Sequence, residues 1–266
     1  MPKLRFQGFN HLTKTLSCNL YDIHYVATPS QRERYLAYVD ETYNAERLTR
    51  ALRQVAETIG AKILNIAHQA YQPRGASVTV LIAEQTAAER PADAERSGPW
   101  PETVLCHLDK SHLAVHTYPE SHPDGGVNTL RVDIDLSTCG RVSPLQALDE
   151  LMRGFKTDLA VIDYRVRGFT RDATGRKRFS DQPIRSIRDF LPQELLQRYR
   201  TMDRNLRQER IFHTKLMREA FDPNDQVFDA GPRARTPGEL AEIERRVRRE
   251  MVEIFHGGQP REDAPT

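Results

Sequence analysis

Apolar residues recur at two different periods along this chain, and the switches between them outline its elements. In LSCNLYDIHYV, near the start, apolar and polar residues alternate as in a half-buried strand. From residue 30 the spacing lengthens. Leu36, Val39, Tyr43, Leu48, Leu52, Val55 and Ile59 fall at helical intervals up to Gly60, and Ser30 with Glu33 has capping-box spacing. One long helix, or two broken near Asn44, is expected there. AKILNIAHQA and ASVTVLIAEQ, joined through Pro73 and Gly75, read as a hairpin of β-branched strands. A proline-rich surface loop over 86–105 leads into a second hairpin, SHLAVHTY and TLRVDIDLSTC, with DGG at 124–126 as a turn.

Side chains alternate across a strand, so Leu130, Val132, Ile134 and Leu136 share one face while Arg131, Asp133, Asp135, Ser137 and Cys139 share the other. Ser143 with Gln146, and Pro144 between them, start a helix whose stripe is Leu145, Leu148, Leu151, Met152 and Phe155; DLAVIDYRV follows as a strand. Hairpins interleaved with amphipathic helices predict an α+β fold, an antiparallel sheet with helices packed on one face. Beyond residue 170 the strand signal fades. LPQELLQRYRTMDRNLRQERIFHTKLMREAF and ELAEIERRVRREMVEIF, the latter after a capping box at Thr236 and Glu239, predict a mostly helical extension over 171–266 packed on a core of 1–170.

At 266 residues and 38% hydrophobic content the chain can bury a substantial core. It has 39 basic and 37 acidic residues, a balance that argues against nucleic acid or an anionic membrane as partner. Arg245, Arg246, Arg248 and Arg249 are interspersed with Glu242, Glu244 and Glu250, as on a solvated helix face. With no long apolar run and no apolar core in the first residues, a cytoplasmic protein is expected. Cys18, Cys106 and Cys139 are too widely spaced for a zinc knuckle and fit reduced thiols.

Chemically versatile residues concentrate in 106–140, which holds His107, His112, His116, His122, Cys106 and Cys139. His112 and His116 are four apart and share a strand face, which leaves a metal open, although no third ligand is evident. Histidines satisfied at a sheet edge are the plainer alternative. Ser111, His116 and Cys139 offer nucleophile, base and acid, yet no G-x-S-x-G elbow surrounds Ser111. In a regular strand Ser111 and His116 would also point to opposite faces, so a bend or a chain break near Ser111 is required.

DKSHLAVHTYPE followed by STCG, and preceded by QPRGASVTV, resembles the S-adenosylmethionine decarboxylase proenzymes of Gram-negative bacteria. The likeness runs from GFNHLTKTLS through STCGRVSPLQAL and IDYRVRGFTRD to FHTKL. It implies an α/β sandwich and a self-processing, pyruvoyl-dependent enzyme cut between Lys110 and Ser111 into chains 1–110 and 111–266. By resemblance Ser111 becomes the pyruvoyl group that forms a Schiff base with substrate, His116 takes the α proton during processing, and Cys139 returns a proton to the product. Ser77 matches a serine linked to processing.

Decarboxylating an α-amino acid needs an electron sink that no natural side chain provides, and a ketone supplies one. A thiol of ordinary pKa, about 8.5, is mostly protonated near neutrality and can return the proton. Tyr118 and Glu120 are candidate contacts for the sulfonium and the ribose hydroxyls. Cys18 and Cys106 read as packing residues. The resemblance further implies S-adenosylmethionine as substrate, aminopropyl supply for spermidine synthesis, association of the cut chains into a higher homo-oligomer, and an association with magnesium, which prefers oxygen ligands to a histidine cage. Arginine or ornithine as substrate, and a metal-dependent hydrolase, are the alternatives.

Overall fold

The computed structural model describes residues 6–10, 12–72, 74–84, 111–120, 126–172, 174–229 and 234–258. Lys110, Cys106, His107 and His122 lie outside the described residues. In chain order the elements are β1 (Phe6–Asn10), β2 (Thr13–Tyr25), α1 (Pro29–Thr42), α2 (Ala45–Thr58), β3 (Ala61–Ala70), β4 (Ala76–Glu84), β5 (Ser111–Pro119), β6 (Val127–Cys139), α3 (Leu148–Gly154) after a short 3-10 turn, and β7 (Leu159–Arg167). They continue with β8 (Thr170–Asp172), β9 (Lys177–Arg178), α4 (Gln193–Leu196), β10 (Tyr199–Leu206), β11 (Ile211–Arg218) and α5 (Pro237–His256). Eight strands form one antiparallel sheet in the order β10-β11-β7-β2-β6-β5-β4-β3, and β1, β8 and β9 make a small second sheet.

Alternation builds the sheet. Leu16, Cys18 and Leu20 of β2, Leu113 and Val115 of β5, and Leu130, Val132, Ile134 and Leu136 of β6 all turn to one face and join the main core with Tyr35 and Val39 of α1, Leu48, Leu52 and Val55 of α2, and Leu148 and Leu151 of α3. The expected break at Asn44 is real: its side chain caps α2 by accepting from Arg47 N–H. The cap of helix α1 lies two residues before the expected one. Thr28 and Gln31 form the capping box and Pro29 takes the first helical position, which leaves Ser30 inside the helix. Ser143 sits at an N-cap position but makes no side-chain capping bond, and a 3-10 turn precedes α3.

Two expectations are corrected. Residues 199–218 are not an α-helix: β10 and β11, joined by a short 3-10 turn, form a hairpin that extends the main sheet beside β7, so the region after 170 completes that sheet rather than decorating it. The charged residues Arg200 and Arg204, which mask the strand pattern, are exposed on β10, an edge strand of which only Tyr199 is buried. Nor do all helices share one face. Helix α5, with its capping box at Thr236 and Glu239, lays Ile243, Val247, Met251 and Phe255 on Ile23, Leu159 and Met217, a separate cluster on the side opposite α1 to α3.

Candidate active site

The face of β5 and β6 turned away from α1 to α3 is polar. Asp133 accepts from Asn19 Nδ2 at 2.6 Å and lies 3.0 Å from the Arg131 guanidinium, and Asp135 accepts from the Ser17 hydroxyl. His116, Tyr118, Ser77 and Cys139 belong to this face by strand alternation.

Ser111 is the first residue of β5, buried and on the helix side with Leu113 and Val115. Its hydroxyl oxygen accepts a hydrogen bond from the backbone N–H of Cys139 at 3.1 Å. Cys139, half-buried, ends β6. The turn after it is pinned from beneath: Lys14, fully buried, donates to the Gly140 carbonyl at 2.9 Å and pairs with Asp181 at 2.6 Å. A buried ammonium needs such partners, so Lys14 ties the strand end to the segment that follows β9.

His116 lies elsewhere on the strand. It stands opposite Ser77 in the β4–β5 ladder, and its Nδ1 is 2.8 Å from the Tyr71 hydroxyl. The Tyr118 ring stacks beside the imidazole at 6.4 Å and 18°, with the Arg131 guanidinium 4.8 Å from its centre. Desolvation, with Tyr71 and Asp133 nearby, shifts the Tyr118 phenol upward, so it stays neutral. Glu120 is just past the strand, exposed, with its N–H on the Thr129 carbonyl.

The structure thus makes two pairs, Ser111 with Cys139 and Ser77 with His116, and keeps them apart. Five residues of strand separate Ser111 from His116, roughly 17 Å, and they face opposite ways. The residues before Ser111, where the expected break would fall, lie outside the described ones. His112 and His116 share a face but are about 13 Å apart along β5, too far to ligate one ion at about 2 Å each. Among the described residues no group of three or more His, Cys, Asp or Glu could hold a metal. Cys18 is buried in the core, and burial pushes its thiol up and out of reactivity. Neither Tyr71 nor Lys14 stands out in the sequence by residue type; the Tyr-to-Gly turn just before β4 is the available signal for the first.

A family profile described as S-adenosylmethionine decarboxylase matches residues 35–168. An S-adenosylmethionine decarboxylase proenzyme of Alkalilimnicola ehrlichii is 54% identical over 258 residues, covering 96% of this chain and 94% of that one. The chain belongs to the S-adenosylmethionine decarboxylase family. A proenzyme of the same description from Clostridium acetobutylicum is 51% identical over 258 residues, covering 96% of this chain and 94% of that one. Among solved structures, the adenosylmethionine decarboxylase from Aquifex aeolicus covers 65% of this chain and 98% of its own, with 16% identity and a TM-score of 0.34, too distant for a comparison of sites. Membership in the family fits the broad α+β expectation of antiparallel sheet and flanking helices. Among the described residues no helix is long and apolar enough to cross a membrane.

Proposed function

We propose that this chain is a self-processing decarboxylase that converts S-adenosylmethionine to its decarboxylated form and carbon dioxide, supplying aminopropyl groups for spermidine synthesis. The observation that carries this reading is the hydrogen bond between Ser111 and Cys139 at the start of β5, in a chain that belongs to this family. It joins the residue to be consumed to the residue that serves the reaction afterwards.

In processing, the Ser111 hydroxyl oxygen attacks the Lys110 carbonyl carbon; the amide C–N bond breaks as the ester C–O bond forms, and the Ser111 nitrogen becomes an amine. His116 then removes the Ser111 α proton, and the Cβ–Oγ bond breaks, releasing Lys110 as a carboxylate and leaving dehydroalanine. Water replaces the nitrogen, which departs as ammonia, to leave a terminal ketone. The pyruvoyl group so made supplies an electrophilic carbonyl able to take up the electrons freed when carbon dioxide leaves. Cys139 holds the proton that returns to the α carbon of the product. Its neighbourhood fits that group, because the Cys139 N–H already meets the Ser111 side chain.

Because His116 and Ser77 stand about 17 Å from Ser111 within the chain, the working site is completed by a second copy, which brings its His116 and Ser77 to the first copy's end of β5. Tyr118, exposed beside His116, is the aromatic placed to attract a sulfonium, and Glu120 the nearby carboxylate for ribose hydroxyls.

Denaturing electrophoresis with intact mass tests the reading. Two polypeptides are expected, the larger starting at residue 111 with a blocked terminus, and carbon dioxide should be released from S-adenosylmethionine far faster than from arginine or ornithine. A chain that stays intact on long incubation, or equal release from arginine, would sink it.

A further inference from the structure

We propose that Tyr71 is the residue that orients His116 and selects its proton-accepting nitrogen. The inference rests on the reading of His116 as the base in processing. A neutral imidazole carries one N–H donor and one lone pair, and only the nitrogen with the lone pair can accept a proton. Here Nδ1 is occupied, 2.8 Å from the Tyr71 hydroxyl, so an incoming α proton can reach only Nε2. For Nε2 to be the acceptor, Nδ1 must carry the hydrogen and donate it to the Tyr71 oxygen. Tyr71 then does for His116 what a buried carboxylate does for the histidine of a hydrolase, without adding a charge.

The turn between β3 and β4 is shaped to hold Tyr71 in that place. Tyr71 N–H donates to the Gly75 carbonyl at 2.8 Å, and Gly75 has a φ of +105°, a conformation glycine alone adopts without strain. A Cβ at Gly75 would lie 2.6 Å from the Thr117 carbonyl oxygen and 3.2 Å from Tyr71 Cδ2. The tyrosine ring therefore rests on a bare glycine. Directly beyond it, Ala76 N–H donates to the Thr117 hydroxyl at 2.8 Å, which locks the turn to the residue after His116. A tyrosine that merely filled a hairpin end would not need its hydroxyl directed at an imidazole nitrogen.

The test uses the uncut full chain, trapped as Ser111→Ala, with ¹⁵N-labelled histidine. Above the imidazole titration His116, assigned by the loss of its signals in His116→Gln, should show the Nδ1–H tautomer, and adding Tyr71→Phe should shift it toward Nε2–H. In the chain that retains Ser111, Tyr71→Phe should slow self-cleavage about 10- to 100-fold, the scale of a misplaced catalytic group, with an unchanged unfolding midpoint. An Nε2–H tautomer in the trapped chain overturns the proposal, as does native-rate cleavage by Tyr71→Phe. Native-rate cleavage by His116→Gln instead removes the base role of His116, and the tautomer result still decides what Tyr71 does to the ring.

Discussion

The Ser111 hydroxyl is held by the backbone N–H of Cys139, 3.1 Å away across 28 residues of sequence, and not by the Cys139 thiol. The two functions of this corner are therefore separable by mutation. Cys139→Ala keeps the N–H and removes only the sulfhydryl, so self-cleavage should persist while turnover falls about 100-fold or more, the usual scale for losing a positioned proton donor. Ser111→Ala should give a single uncut chain without turnover. Gel densitometry and carbon dioxide release, read on the same samples, check both outcomes; loss of cleavage in Cys139→Ala would place the thiol in processing as well.

Gly75→Ala should cost about 1–3 kcal/mol, since the substitution adds a Cβ 2.6 Å from a backbone carbonyl at a left-handed φ. Gly60→Ala is the control. Its φ is +69° but nothing lies within 4 Å of the added carbon, so about 1 kcal/mol is expected. Urea midpoints of the two variants should fall in that order.

Asp22 is fully buried under α1. Burial alone would raise its carboxyl, but His24 at 2.9 Å, Lys156 at 3.4 Å and the Tyr38 hydroxyl at 2.6 Å outweigh that and hold it at about 2. A folded value below the unfolded one of about 3.9 means that the stabilisation is complete above pH 4 and disappears as pH falls through about 2. Asp22→Asn should lose about 1–3 kcal/mol near neutrality by taking the buried carboxylate away from the Lys156 ammonium and the Tyr38 hydroxyl. Denaturation curves from pH 6 to pH 2 should show the gap between native and variant closing; a constant gap would contradict a depressed carboxyl.

A fragment of residues 1–170 should not fold. It lacks β11, which covers the edge of β7, and α5, whose Ile243, Val247, Met251 and Phe255 bury the cluster around Ile23 and Leu159. Each such side chain is worth about 1.5–3 kcal/mol of burial, and their sum rivals the whole stability of a domain. The Lys14 ammonium would also lose Asp181. Circular dichroism and proteolysis of the fragment give the answer, and a stable, protease-resistant fragment would restore the division at 170.

The central sheet was legible because its strands alternate cleanly: the faces of β6 came directly from the spacing of Leu130, Val132, Ile134 and Leu136. The α5 start was legible because Thr236, Pro237 and Glu239 make a complete local signal. The β10–β11 hairpin was not. Its arginines, leucines and methionines favour helix intrinsically, and pairing with β7 overrides them, a long-range contact that no local window contains. At the site, Ser111, His116 and Cys139 stood out by residue type and context, whereas their separation into two pairs depends on strand register, and Tyr71 depends on a turn.

The strand order carries one more consequence. β2 sits between β6 and β7, and β4 lies beside β5, so the ladders run between parts of the chain on either side of residue 110. A cut there yields two polypeptides threaded through one another, with β2 of the first held on both edges by strands of the second. Such a pair cannot drift apart without dismantling the sheet, and its parts could not be made separately and simply mixed. The mature form keeps a record of having once been a single molecule: after denaturation its recovery becomes a bimolecular event, and dilution should defeat it where the uncut chain would return.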